Sequence, residues 1–174
     1  MAKYVYGIAS VKYGTVEPPG VGPLMPAATG MTNWAQTVKG SLTISEDEST
    51  TTEFFVEETT TAVHSVVTDA GQLKVTWRAY DVTPTLVEVM KGGDASGNGV
   101  YLDYYGPETV EAKELALQVT TTDGTIFEIP KASCLGRFDS VVGRENLLEM
   151  EVVATALSPG ASVTNWPYRV RIPV

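Results

Sequence analysis

The feature that most constrains the fold is a strict alternation of apolar and polar residues over 72–79. Its members are Gln72, Leu73, Lys74, Val75, Thr76, Trp77, Arg78 and Ala79. Successive side chains of a β-strand point to opposite faces, so this pattern predicts a strand with one buried and one polar face. Similar alternation recurs over 115–120 and 148–156, and Asp123-Gly124 is a strong hairpin-turn signal.

Read in this way, the chain contains about eight or nine strands. We therefore expect a mainly β fold, either a β-sandwich or a partly closed barrel. Two segments depart from the strand pattern. Residues 17–33 are rich in proline and glycine, which predicts a loop or arm, and residues 158–174 form a C-terminal extension whose end suits pairing at a sheet edge.

The stretch "TPTLVEVMKGG" predicts one short α-helix over 84–91. Thr83 is a suitable N-cap, Pro84 is tolerated at the first helical position, and Gly92 can adopt the left-handed conformation that ends a helix. Leu86, Val89 and Met90 fall on one face, with Val87 beside them. A helix of two turns is not stable alone, so we expect it to cover an open end or face of the sheet system.

Two further predictions concern strands in the N-terminal half. Residues 4–16 are rich in β-branched and aromatic side chains, which is typical of a strand. The acidic run 45–50 separates two strand-like stretches, which predicts a hairpin over 41–58 with an exposed acidic tip.

Charge and composition exclude several classes of protein. The net charge of −9 has the wrong sign for tight nucleic-acid binding, which depends on neutralising phosphates with Lys and Arg. The single cysteine, Cys134, cannot form an intrachain disulfide and is expected in the core. The sequence has neither a long apolar run nor a signal-peptide pattern, so we expect neither a membrane span nor secretion.

The residues that could carry chemistry are few. His64, Ser65 and Asp69 could be drawn as a catalytic triad, but neighbours in a strand point to opposite faces, so a surface or core histidine is favoured. The stretch "DASGNG" over 94–99 resembles the front of a calcium loop, but Tyr105 occupies the position of the required acidic ligand. We predict no catalytic, cofactor-binding or metal-binding residues, and a protein that is not an enzyme.

The order of elements resembles that of the tail tube proteins, or major tail proteins, of long-tailed bacteriophages. The resemblance is carried by "GQLKVTWRAYDVTPTLVEVMKGG", "ELALQVTTTDGTIFEIPKA" and "NLLEMEVVATAL", and it spans most of residues 2–157. It implies a single domain over 1–174, a β-sandwich flanked by one helix. It further implies hexameric rings that stack into a hollow tube for DNA, a fold shared with the tubes of type VI secretion systems and of contractile tails.

The same resemblance implies a location and a set of partners. The protein would be made and assembled in the cytoplasm of a host bacterium and would end in the virion tail. Its partners would be copies of itself, the tape measure protein, the tail-tip or baseplate proteins and the tail terminator. DNA would pass non-specifically through an acidic lumen, for which Glu46, Glu57, Glu149 and Glu151 are candidate carboxylates.

Two other classes of function stay open at this stage. One is another virion component, such as a capsid decoration protein or a tail terminator, which would form closed rings or trimers. The other is a monomeric β-sandwich module for glycan binding or adhesion. Its platform would be the aromatic side chains of "VYLDYYG" over 100–106.

Overall fold

The computed structural model describes residues 7–18, 25–34, 36–57, 61–80, 82–97, 99–139, 148–160 and 166–173. These residues form twelve strands, a short 3₁₀-helix and one α-helix. In chain order they are β1 (Ser10–Gly14), the 3₁₀-helix (Ala28–Gly30), β2 (Met31–Asn33), β3 (Thr43–Glu46), β4 (Thr50–Phe54), β5 (His64–Asp69), β6 (Leu73–Ala79), α1 (Pro84–Lys91), β7 (Asp94–Gly97), β8 (Leu102–Tyr105), β9 (Lys113–Thr120), β10 (Ile126–Phe138), β11 (Met150–Ala156) and β12 (Arg169–Arg171). The mainly β fold with one short flanking helix is therefore confirmed.

Eight of the strands form one antiparallel sheet in the order β2-β1-β9-β10-β11-β6-β3, with β12 also paired to β10. The remaining strands form two hairpins, β4–β5 and β7–β8. The alternation read from the sequence holds in β6 and β11, where every second residue is buried. These buried residues share one face of the sheet with the buried residues of β1, β9 and β10, and together they form the core.

The two ends of the large sheet come together around Trp34. Its ring makes edge contacts with Tyr13 of β1, at 5.7 Å, and with Trp77 of β6, at 5.5 Å between ring centroids. Backbone hydrogen bonds tie this segment to both ends of the sheet. The Trp34 N–H donates to Val11 O of β1, and the Val38 N–H donates to Arg78 O of β6. The described part of the sheet bends into a sandwich-like fold without closing into a barrel.

Strand β10 organises the sheet because it continues through a proline. Pro130 cannot donate to a strand ladder, and the pairing with β9 shifts register between Ile129 and Ala132. On the opposite edge, β10 pairs with β12 before this irregularity and with β11 after it. The long strand thereby joins the C-terminal extension to the body of the sheet.

Helix α1 covers one end of the core, as predicted. Thr83 Oγ1 accepts from the Leu86 N–H at 3.4 Å, and Gly92 ends the helix with a φ of 76°. Leu86, Val87 and Met90 are its buried residues, so Val87 is buried where the helical spacing favoured Val89. Val89 is partly buried against the same core.

Met90 packs closely on β10. A Cβ at Gly136 would lie 3.2 Å from Met90 Cβ, so the absence of a side chain at Gly136 allows this close approach. Strand β10 therefore carries the helix near its C-terminal end.

The prediction of a hairpin over 41–58 was wrong, because the two strands in this stretch do not pair with each other. Strand β3 pairs with β6, whereas β4 pairs with β5 in a separate sheet. The reason is that Ile44 lies opposite Val75 in the main sheet and packs against the core, while the strand after the acidic run has no buried side chain. The acidic residues 46–48 are exposed, as expected, but they connect two sheets.

The N-terminal predictions fall partly outside the described residues. Strand β1 begins at Ser10, and residues 4–6 of the predicted strand lie outside the described part. Gly7, where a bulge was expected, has a φ of 66° and precedes the strand. Of the predicted arm 17–33, residues 19–24 lie outside the description, and residues 31–33 form β2 at the edge of the sheet.

Candidate assembly surfaces

The β4–β5 hairpin stands apart from the core. Every described residue over 50–70 is exposed, on both faces of this ribbon. Within the described chain, the two strands pair only with each other. An isolated two-stranded hairpin is marginally stable at best in water. We therefore expect a second surface to cover this ribbon.

Apolar side chains are concentrated at the far end of this hairpin. Phe54 and Phe55 are 51% and 59% exposed, and Val56 and Val63 beside them are also exposed. The only ring contact described for Phe54 is with His64 on the facing strand, at 6.2 Å between centroids. Contiguous exposed apolar surface of this kind marks an interaction site. We call residues 54–57 together with Val63 the hairpin tip.

The tip was not singled out from the sequence, although a signal for it exists. Three consecutive apolar residues, Phe54 to Val56, lie between Glu53 and Glu57. A run of this kind has no period-two alternation, so it does not fit a half-buried strand. It fits a segment that a second surface covers.

The β7–β8 hairpin is a second exposed apolar surface, but it is anchored. Tyr101, Leu102 and Tyr105 are 69%, 72% and 58% exposed. Tyr104, by contrast, is partly buried against the core, and its hydroxyl donates to Gly92 O at the end of α1, at 2.9 Å. Burial raises the pKa of the Tyr104 hydroxyl.

An open apolar cavity of about 1040 Å³ lies where the two ends of the large sheet meet. Ile8 and Val11 line it from the β1 side, Leu42 and Ile44 from the β3 side, and Phe127 from β10. Trp34 also lines this cavity, which we call the Trp34 cavity. Its size is at the upper end of ordinary ligand pockets, so it can accept several side chains at once.

The indole Nε1 atoms of Trp34 and Trp77 are both buried and have no hydrogen-bond acceptor among the described residues. Among the described residues that line the cavity, Lys39 alone is charged, and it is exposed.

The polar face of the sheet carries a network of ion pairs. Arg78 lies 2.9 Å from Asp139, 3.7 Å from Glu149 and 3.9 Å from Glu151, all between nitrogen and oxygen atoms. Arg137 also contacts Glu151. Glu149 and Glu151, two of the four candidate lumen carboxylates, therefore have guanidinium groups beside them that offset part of their charge.

A second network holds the C-terminal strand. The Glu128 side chain is 4% exposed, and the guanidinium groups of Arg169 and Arg171 reach its two oxygens from β12. Gln118 on β9 donates to the same carboxylate at 3.4 Å. A buried carboxylate is tolerated because these donors surround it.

The other two candidate lumen carboxylates are more accessible. Glu57 is exposed in the hairpin tip. Glu46 is exposed at the end of β3 and accepts from the Tyr168 hydroxyl at 3.3 Å. No cation among the described residues pairs with either of these carboxylates, whereas Glu149 and Glu151 both contact arginines.

The structure does not bring the sequence-level triad together. His64, Ser65 and Asp69 all lie on β5, and His64 is five residues from Asp69, or about 17 Å along an extended strand. Asp94 and Ser96 of the calcium-like stretch lie in β7, paired with β8, and Asn98 lies outside the described residues. No group of three or more His, Cys, Asp or Glu side chains that could hold a metal occurs in the described part.

Cys134 lies in the core at 0% exposure, as expected. Burial raises the pKa of its thiol to about 12. Because the thiolate is the reactive form, this cysteine is chemically inert in the folded protein.

No protein-family model matches the sequence, and the curated proteins contain no significant match. Across the residues that are described, no helix is both long and apolar enough to cross a membrane.

Proposed function

We propose that this protein is a structural component of a bacteriophage virion that polymerises as stacked hexameric rings into the hollow tail tube. In this proposal DNA passes through the tube, and the protein catalyses no reaction. It would be assembled in the host cytoplasm and would contact the tape measure protein, the tail-tip or baseplate proteins and the tail terminator.

The observation that carries the proposal is the free-standing β4–β5 hairpin. Its described residues are all exposed, and its tip presents Phe54 and Phe55 to solvent. A ribbon of this kind gains stability only when a further chain covers it. A subunit built for assembly has a use for such a ribbon, whereas a monomeric protein would expose it as an aggregation risk.

The edges of the large sheet support the same proposal. Strands β2 and β3 end the sheet, and each pairs on one side only in the described chain. Unpaired strand edges join neighbouring chains by backbone hydrogen bonds. Contacts between two different surfaces are heterologous, and they close into rings or continue into filaments.

The net charge supports a conduit for DNA. A net charge of −9 repels phosphates, so DNA would slide past a lumen of this sign without binding. Because Glu149 and Glu151 are paired with arginines, we assign the repulsion to exposed carboxylates such as Glu46.

Sedimentation velocity of matched variants tests the proposal. Phe54→Ser/Phe55→Ser should fold like the wild type, since both side chains are more than half exposed, and should stay small at concentrations where the wild type polymerises. Thr51→Ser, on the same ribbon, is the matched control and should polymerise normally. Polymers of equal length from all three proteins would refute a role for the hairpin in assembly.

A second candidate function is glycan binding by the β7–β8 hairpin. Tyr101 and Tyr105 are exposed and could stack on sugar rings. This alternative predicts a monomer that binds glycans and loses binding in Tyr101→Ala. Closed rings or trimers without longer polymers would instead indicate a tail terminator or a capsid decoration protein.

A further inference from the structure

We propose that the hairpin tip of one copy docks into the Trp34 cavity of a neighbouring copy. This inference rests on the proposed function, since both require copies of the chain to associate, but it names the two surfaces that meet. The occupant of the cavity is thus a second copy of this chain.

The two surfaces match in their apolar character. The tip presents Phe54, Phe55, Val56 and Val63, and half of the described residues that line the cavity carry aliphatic or aromatic side chains. Because Phe54 and Phe55 are only about half exposed, covering the two rings removes roughly 150–300 Å² of surface from water. A stable interface buries about 800 Å² per partner, so the rest of the ribbon would have to contribute as well.

The two surfaces also match in charge. Glu53 and Glu57 flank the apolar run of the tip, and both are exposed. Lys39 is the charged residue among those described at the cavity. Docking would bring a carboxylate to this ammonium group at the rim, where opposite charges favour the encounter and fix its orientation.

The hairpin does not fill the cavity of its own chain. Phe54 and Phe55 remain more than half exposed in the single chain, and neither lines the cavity. A tip that meets a different surface on the next copy makes a heterologous contact, which propagates from copy to copy. This is the kind of contact that a polymer requires.

A charge-swap experiment tests the docking. Lys39→Glu alone and Glu53→Lys/Glu57→Lys alone should each raise the critical concentration for polymerisation by roughly threefold to tenfold. The triple variant should return to within about twofold of the wild type, because opposite charges again face each other. Lys113→Glu is the matched control, since Lys113 lies at the opposite end of β9 from the cavity residue Thr121. Additive losses in the triple variant would overturn the proposal.

A cross-linking experiment tests the same contact without requiring long polymers. A Phe55→Cys chain mixed with a Leu42→Cys chain should yield a disulfide-linked pair of the two different chains under oxidation. The native Cys134 is buried and will not compete. The matched control replaces Leu42→Cys with Lys113→Cys, at the end of β9 that lies away from the cavity, and should give no enrichment over random pairing.

The outcomes separate the two proposals. Tubes that form without this cross-link, and with no charge coupling, would overturn the docking and leave the proposed function standing. A cross-linked pair without tubes would support the docking and refute the tube. Phe55→Cys/Leu42→Cys in one chain that closes only on itself would overturn the docking between copies.

Discussion

The buried carboxylate of Glu128 gives the sharpest prediction about how the C-terminal extension is held. Its side chain is 4% exposed, and its oxygens contact Arg169 and Arg171 of β12. We expect Arg169→Met/Arg171→Met to be strongly destabilised. The substitutions keep the apolar stems but leave a buried charge with Gln118 as its only described donor.

The size of this destabilisation follows from the difference between removing one partner of a buried ion pair and removing both. Removing one side of a buried pair costs about 3–5 kcal/mol, because the remaining charge is unpaired. Replacing the whole set by uncharged groups of similar volume is close to neutral. Detachment of the three-residue strand β12 would hydrate Glu128, so we expect a loss of about 2–4 kcal/mol in the free energy of unfolding.

Urea denaturation of four proteins measures this loss. They are the wild type, Glu128→Gln, Arg169→Met/Arg171→Met, and the triple variant. The triple variant should regain most of the stability that the double variant loses, and Glu128→Gln alone should lose about 1 kcal/mol, because half-exposed arginines can be hydrated. A triple variant no more stable than the double variant would refute the account of a charge-held strand.

Three further predictions concern the core and the lumen. Leu86→Asp should destabilise the protein by roughly 4 kcal/mol, because it places a charge on the buried face of α1. Thr85→Asp, in the exposed first turn of the helix, should not destabilise it. Thermal unfolding of the two variants measures the difference. Burial raises the pKa of Cys134 from 9.0 to about 12. The thiol of the unfolded chain therefore ionises at a lower pH than the thiol of the folded chain. As the pH rises between these two values, the free energy of unfolding should fall by up to roughly 4 kcal/mol. Parallel unfolding of Cys134→Ala should show a smaller fall. Finally, Glu46→Lys virions should eject DNA more slowly than the wild type from tubes of normal length, and unchanged ejection would count against an acidic lumen.

The sequence predicted the parts of the fold that rest on local patterns. Strand β6 follows from its alternation, and α1 follows from Thr83, Pro84 and Gly92, each of which has a local reason to begin or end a helix. The Asp123-Gly124 turn joins β9 and β10, with Gly124 at a φ of 86°. These features depend on a few neighbouring residues, so they can be read without the tertiary structure.

The remaining features depend on which strands meet. The pairing of β3 with β6 is decided by burial of Ile44 opposite Val75, which no local pattern specifies. The sequence did not predict that β10 continues through Pro130, because a proline ordinarily ends a central strand. A bulge and a change of neighbouring strand accommodate it there.

The candidate interface was the least predictable part. The tip residues Phe54 and Phe55 look like core residues in the sequence, and only the structure shows them exposed. The Trp34 cavity is assembled from β1, β3 and β10, which are distant in the chain. The cavity forms because the two ends of the sheet meet, so no single segment of the sequence predicts it.

The central claim is that copies of this chain join into a hollow tube. Electron microscopy of the purified full chain, concentrated stepwise, tests it most directly. We predict stacked rings of six subunits with a central channel, appearing above a threshold concentration. Particles that stay monomeric, or that stop at single closed rings at every concentration, would contradict the claim.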